Sequence, residues 1–151
     1  MGVQGVFLTI IRNPVIVTGF AAWFLAQSIK VVLGFIQEKR FNFKWFVGSG
    51  GMPSSHAALV MSIAVAIGLH EGFNTPLFAL GLTFAFVTMF DAQGVRRQSG
   101  QQAEALNKML DDIYSQRGIQ ETPLKELFGH TPIEVIAGGL LGTIVAIVIP
   151  V

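Results

Sequence analysis

Apolar residues run almost unbroken through residues 14–36, 54–70, 75–91 and 132–150, and polar residues collect in the segments between them. A helix needs roughly 20 predominantly apolar residues to cross the hydrocarbon of a bilayer, so the first stretch is ample and the others are near the lower limit. The pattern predicts an all-α integral membrane bundle of about four transmembrane helices. Asn13-Pro14, Thr75-Pro76 and Thr131-Pro132 place a proline at or near the first helical position. Its missing N–H costs nothing there, and Thr75 and Thr131 are natural caps before it. Asp91 is expected to end the third span and open the polar segment that runs to residue 131. Within that segment, Ala103, Leu106, Leu110 and Ile113 recur at helical spacing, which predicts an amphipathic surface helix starting near Gln102 and ended by Gly118. Met1 to Asn13 is apolar and reads either as the start of the first span or as a segment lying in the interface.

Composition agrees with that pattern. Of 151 residues, 52% are hydrophobic and 13% charged, the balance of a single membrane domain covering residues 1–151. The formal net charge of +1 gives no reason to expect nucleic acid as a partner. With no cysteine, disulfides, thiolate nucleophiles and Cys-ligated metals are excluded. The apolar start lacks a basic region and a small-residue cleavage site, so it does not read as a removable signal peptide. Gly138 and Gly142 have the spacing that lets helices approach closely, and the composition admits a homo-oligomer.

Charge then orients the bundle. Lys39, Arg40 and Lys44 follow the first span, interleaved with Phe41, Phe43, Trp45 and Phe46, a mixture suited to anionic headgroups and an aromatic belt. Arg96, Arg97, Lys108, Arg117 and Lys125 lie between the third and fourth spans, whereas the turn around Gly72 has no Lys or Arg. The excess of basic residues predicts that residues 37–53 and 91–131 are cytoplasmic and Gly72 is outside. Gln27 and Lys30 share one helical face inside the first span. Lys30 either faces a polar interior or snorkels to the interface.

The candidate chemistry lies in two hinges on the same side. Gly50-Gly51-Met52-Pro53-Ser54-Ser55-His56 leads into the second span, with Ser54 or Ser55 as N-cap and His56 in the first turn. Free N–H groups and the positive end of the macrodipole favour an anion there. Gly129-His130-Thr131-Pro132-Ile133-Glu134 leads into the fourth span. Glu134 stands where a capping box wants an acid, and it could also reach back to the His130 ring and support its positive charge. Arg96 and Arg97 offer guanidinium forks for phosphate oxygens, or are ordinary juxtamembrane charge. His70 reads as a structural cation at a helix end.

Pro53-Ser54-Ser55-His56 resembles the Pro-Ser-Gly-His motif of the type 2 phosphatidic acid phosphatase and vanadium haloperoxidase superfamily. His130 with Glu134 resembles its last motif, a histidine followed four residues later by aspartate. Together with Asp91 to Leu106, these stretches make the chain look like the small divergent bacterial and plastid branch, and the resemblance covers most of its length. It implies a metal-independent phosphatase with no cofactor, in which His130 attacks phosphorus, Glu134 orients it and His56 protonates the leaving oxygen. Ser54, Ser55 and nearby backbone would bind phosphate. The family's Lys-x6-Arg-Pro motif is absent, Pro123-Leu124 replaces its Ser-Arg pair, Ser55 replaces glycine and Glu134 replaces aspartate. Lys30, Lys39, Arg96, Arg97 and Lys125 are the candidate substitute cations, and Asp91 is a further polar candidate for the same site. The expected activity is hydrolysis of a lipid phosphate monoester or diphosphate, such as phosphatidylglycerophosphate, phosphatidic acid or a polyprenyl phosphate, at the cytoplasmic face of a bacterial inner membrane. The rivals are a non-catalytic protein that binds or translocates a phosphorylated lipid, and a metal site built from His56, Asp91, His130 and Glu134.

Overall fold

The computed structural model describes residues 2–39, 51–115 and 129–149. Among these the chain is helical, with α1 Val3–Ile11, α2 Pro14–Glu38, α3 Ser55–Glu71, α4 Pro76–Gln93, α5 Val95–Ser115 and α6 Pro132–Val148. Arg40, Phe41, Phe43, Lys44, Trp45, Phe46 and Gly50, and the stretch holding Arg117, Gly118, Pro123, Leu124 and Lys125, lie outside the described residues.

Helix starts follow the caps. Asn13, Ser54, Thr75 and Thr131 each accept a backbone N–H of the first turn through the side chain, ahead of α2, α3, α4 and α6 respectively. α1 is a separate helix, parted from α2 at Arg12 and Asn13, and leaves Phe7 and Ile10 at least half exposed. The polar segment differs from the sequence reading. Asp91 does not end α4, which continues to Gln93, and α5 begins at Val95 rather than near Gln102. Arg, Gln and Ala are good helix formers, so polarity alone does not stop a helix, and the break is confined to Gly94.

α3 packs against α2, α4 and α6 and forms the centre of the bundle. Small residues cover it on nearly every side: Ala57, Ala58, Ser62, Ala64, Ala66 and Gly68 are buried. On one side Ala58 meets Ala22 and Ala26 of α2 and Val145 of α6. On another, Val60 and Ala64 meet Ala85 of α4. Cohesion here comes from backbones brought close by small side chains, because lipid tails are as apolar as leucine and supply little drive of their own. The sharpest case is α6 on α3, where a Cβ on Gly138 would run into the Ser54 carbonyl and one on Gly142 into the Ala58 carbonyl. Large apolar side chains face outward instead, among them Phe20 and Phe24 of α2, Leu80 and Phe84 of α4 and Ile144 of α6. This is a membrane bundle turned to present its bulk to lipid.

Candidate active site

Three segments are tied at one end of the bundle. The Ser54 N–H donates to the Glu134 carbonyl at 3.0 Å, and the His130 N–H donates to the Ala92 carbonyl at 3.1 Å. The start of α3, the start of α6 and the last turn of α4 are therefore held in register by backbone bonds that do not depend on side chains.

At the start of α6 the capping box is complete. Thr131 Oγ1 accepts the Glu134 N–H at 3.4 Å, and Glu134 Oε2 accepts the Thr131 N–H at 3.0 Å. The same Oε2 lies 3.0 Å from Nδ1 of His130. Capping and orienting, which sequence spacing presents as alternatives, thus meet at one oxygen. A carboxylate oxygen has two lone-pair directions, enough for both donors. The His130 side chain is 4% exposed and that of Glu134 is 21% exposed, so the pair sits behind a partly open carboxylate.

The other hinge is built differently. Ser54 caps α3 by accepting the Ala57 N–H at 3.4 Å, and both Ser54 and Ser55 are buried. Gly51 takes φ +85, a conformation that glycine supplies without strain, and Met52-Pro53 is a cis peptide. His56 follows on the first turn of α3 and is exposed. It shares the bundle end with His130 but not its burial.

Lys30 lies inside the protein. It is 7% exposed, on the same buried face of α2 as Gln27. A Cβ on Gly51 would stand 3.5 Å from Lys30 Cγ, so the hinge backbone lies along the lysine stem. An ionisable side chain kept at this depth marks a polar site rather than a packing position. Lys39 is exposed and caps α2 in the left-handed region at φ 51, away from that arrangement. Arg96 and Arg97 belong to the first turn of α5, just past the end of α4, and their side chains lie outside the description. Asp91 is half-buried on α4.

Asp91 also lines a groove of about 660 Å³ between α4 and α6, together with Phe86, Val87, Phe90, Val135 and Ile136. No residue motif announces this groove, since it depends on which helices become neighbours. Among the described residues no three His, Asp or Glu side chains converge as a metal site would require, so the set His56, Asp91, His130 and Glu134 is not assembled as one. At the far end of the bundle, His70 Nδ1 lies 3.1 Å from Glu71 Oε1 in the exposed last turn of α3.

An all-α membrane bundle with a buried, carboxylate-held histidine at one end defines the class. The chain matches the Divergent PAP2 family over residues 11–145 and belongs to it. It is also similar to YuiD of Bacillus subtilis (strain 168), described as an uncharacterized membrane protein, with 37% identity over 155 residues covering 94% of this chain and 97% of the relative. No solved structure matches.

Proposed function

We propose that this protein hydrolyses the phosphate monoester or diphosphate of a membrane lipid through a phosphohistidine intermediate. The observation that carries the reading is Glu134 Oε2 at 3.0 Å from Nδ1 of a buried His130. A hydrogen bond from Nδ1–H to a carboxylate fixes the tautomer that leaves Nε2 with its lone pair, and it stabilises the charge the ring gains on attack. Membership of the Divergent PAP2 family supports a phosphatase-like chemistry.

In the first step the Nε2–P bond forms and the ester P–O bond breaks. The leaving oxygen takes a proton from His56, whose exposed place on α3 also lets it exchange protons with water. In the second step water attacks phosphorus, His56 accepts its proton, the N–P bond breaks and inorganic phosphate leaves. Charge on the transferring oxygens needs fixed cations. Lys30 is the one Lys or Arg among the described side chains that is buried, and Arg96 and Arg97 stand in the first turn of α5. Lipids such as phosphatidic acid, phosphatidylglycerophosphate and polyprenyl phosphates carry a suitable group.

The decisive experiment is phosphate release by purified protein across those lipids, with His130→Ala as the comparison. Release that survives His130→Ala overturns the mechanism. Lipid-phosphate binding without release, in wild type and variant alike, assigns the protein to binding or translocation instead. Turnover that disappears with a chelator and returns with a divalent cation defeats the metal-independent scheme.

A further inference from the structure

We propose that the groove between α4 and α6 receives the hydrocarbon tail of the lipid phosphate and sets the depth of its headgroup at His130. The inference rests on the reading of that site as one for lipid phosphates.

The groove changes polarity along its length. Phe86, Val87 and Phe90 line its length on α4, with Ile136 opposite on α6, while its polar members, Asp91 and Gln93, lie in the last turn of α4. At 1.5 Å per residue, Phe86 lies about 10 Å deeper along α4 than Gln93. The groove is therefore polar at the end of the bundle that carries His130 and apolar toward the middle of the membrane. A lipid standing in the same leaflet has that polarity.

The groove is also continuous with the site. Val135 lines the groove, adjoins Glu134 in sequence and packs with Ala57 and Ala92 in one buried cluster. The Ala92 carbonyl, flanked by the groove residues Asp91 and Gln93, holds the His130 N–H. The polar end of the groove is thus framed by residues that position His130.

Phe86, Val87, Phe90 and Ile136 are all more than half exposed. On membrane-spanning helices such exposure is to acyl chains, so the groove opens sideways into hydrocarbon. Filling it from a bilayer gains nothing from hydrophobic transfer, because the tail is already among apolar groups. What the groove supplies is position. A tail lying in it restricts the headgroup to one depth and one approach, which raises the effective concentration of the phosphate at Nε2.

The test is photocrosslinking with a long-chain alkyl phosphonate that bears a diazirine on the tail, in phosphatidylcholine nanodiscs. Its C–P bond resists hydrolysis, so the readout needs no turnover. Adducts are expected to concentrate on Phe86, Val87, Phe90 and Ile136 over equally lipid-facing Phe20 and Leu80, and to fall when unlabelled alkyl phosphate competes. A tail with a neutral headgroup should show no such enrichment. Val87→Trp, which narrows the groove, should lower the enrichment several-fold, and Leu80→Trp, on the same helix outside it, should leave it unchanged. Even labelling of all lipid-facing positions overturns the proposal. So does an oligomer that dissociates in Val87→Trp, because the groove would then hold a second copy of the chain. Enriched, competable adducts in a protein that releases no phosphate would sustain the groove and reject the phosphatase reading.

Discussion

The two hinges use the same parts and treat their histidines in opposite ways. Each has a hydroxyl N-cap, a nearby proline and a histidine, and each opens an apolar helix of the same bundle end. At α3 the histidine comes after the cap, at the second helical position, and is the exposed residue of a first turn whose Ser55 and Ala57 are buried. At α6 it comes before the cap, where the chain folds back and Glu134 holds the ring. The third helical position makes the difference: it is Glu134 in α6 and Ala57 in α3. Phosphoryl transfer by a histidine pair needs one ring that is fixed and one that trades protons with water, and on the proposed mechanism the two hinges would divide those needs between them.

The largest test of that division is the exchange of roles. His130→Ala should reduce phosphate release to background, while His56→Asn should slow both steps and, with an aryl phosphate whose leaving group departs without a proton, let acid-labile phosphate accumulate on His130. Mass spectrometry of the trapped protein would locate it. Phosphate on any other residue would break the assignment.

Next in size is Glu134→Gln. A glutamine at this position still completes a capping box, so the thermal midpoint should move little. It cannot supply the negative charge that an imidazolium needs, and turnover should fall on the order of 10²- to 10⁴-fold. A large loss of folded protein with proportionate loss of activity would instead show that Glu134 serves the helix start alone.

A third variant acts on the joint between the hinges. Gly138 lies against the Ser54 carbonyl, so Gly138→Val must push α6 away from α3. Overpacking of this kind costs about 1–3 kcal/mol. The expected outcome is a lower unfolding midpoint in detergent with activity falling in step. Full stability in Gly138→Val would mean that the hinges are not held together as closely as their backbone bonds imply.

Much of this architecture is legible in the chain because helix starts and membrane spans are local properties. Thr131, Pro132 and Glu134 announce the start of α6 by type and spacing, and the four apolar stretches coincide with α2, α3, α4 and α6. What is not legible depends on who meets whom. Spacing offers Lys30 either the interior or the interface, and its burial follows from Gly51 lying along its stem. Spacing also sets cap against orienter at Glu134, because a sequence does not show how many donors one oxygen accepts. The groove requires α4 and α6 to be neighbours, which no periodicity states. Asp91 looks like a stop because it opens a polar run, yet nothing in its side chain blocks a helix.

The smallest effect belongs to Ser54. Its N–H donates to the Glu134 carbonyl, its Oγ accepts the Ala57 N–H, and the residue is buried. Both bonds hold the fold, so Ser54→Ala should cost about 1 kcal/mol through the lost cap. The backbone bond to Glu134 survives the substitution, and with it the register of α3 and α6. Vanadate, which adopts the five-coordinate geometry of phosphoryl transfer, then provides the discriminating measurement. On the proposed mechanism, inhibition should be unchanged in Ser54→Ala and much weakened in Lys30→Met, because there the Lys30 ammonium would meet the phosphate charge whereas the capping hydroxyl is committed to a helix. Weaker vanadate inhibition in Ser54→Ala would give that hydroxyl a share in phosphate binding and make the first hinge, like the second, both cap and site.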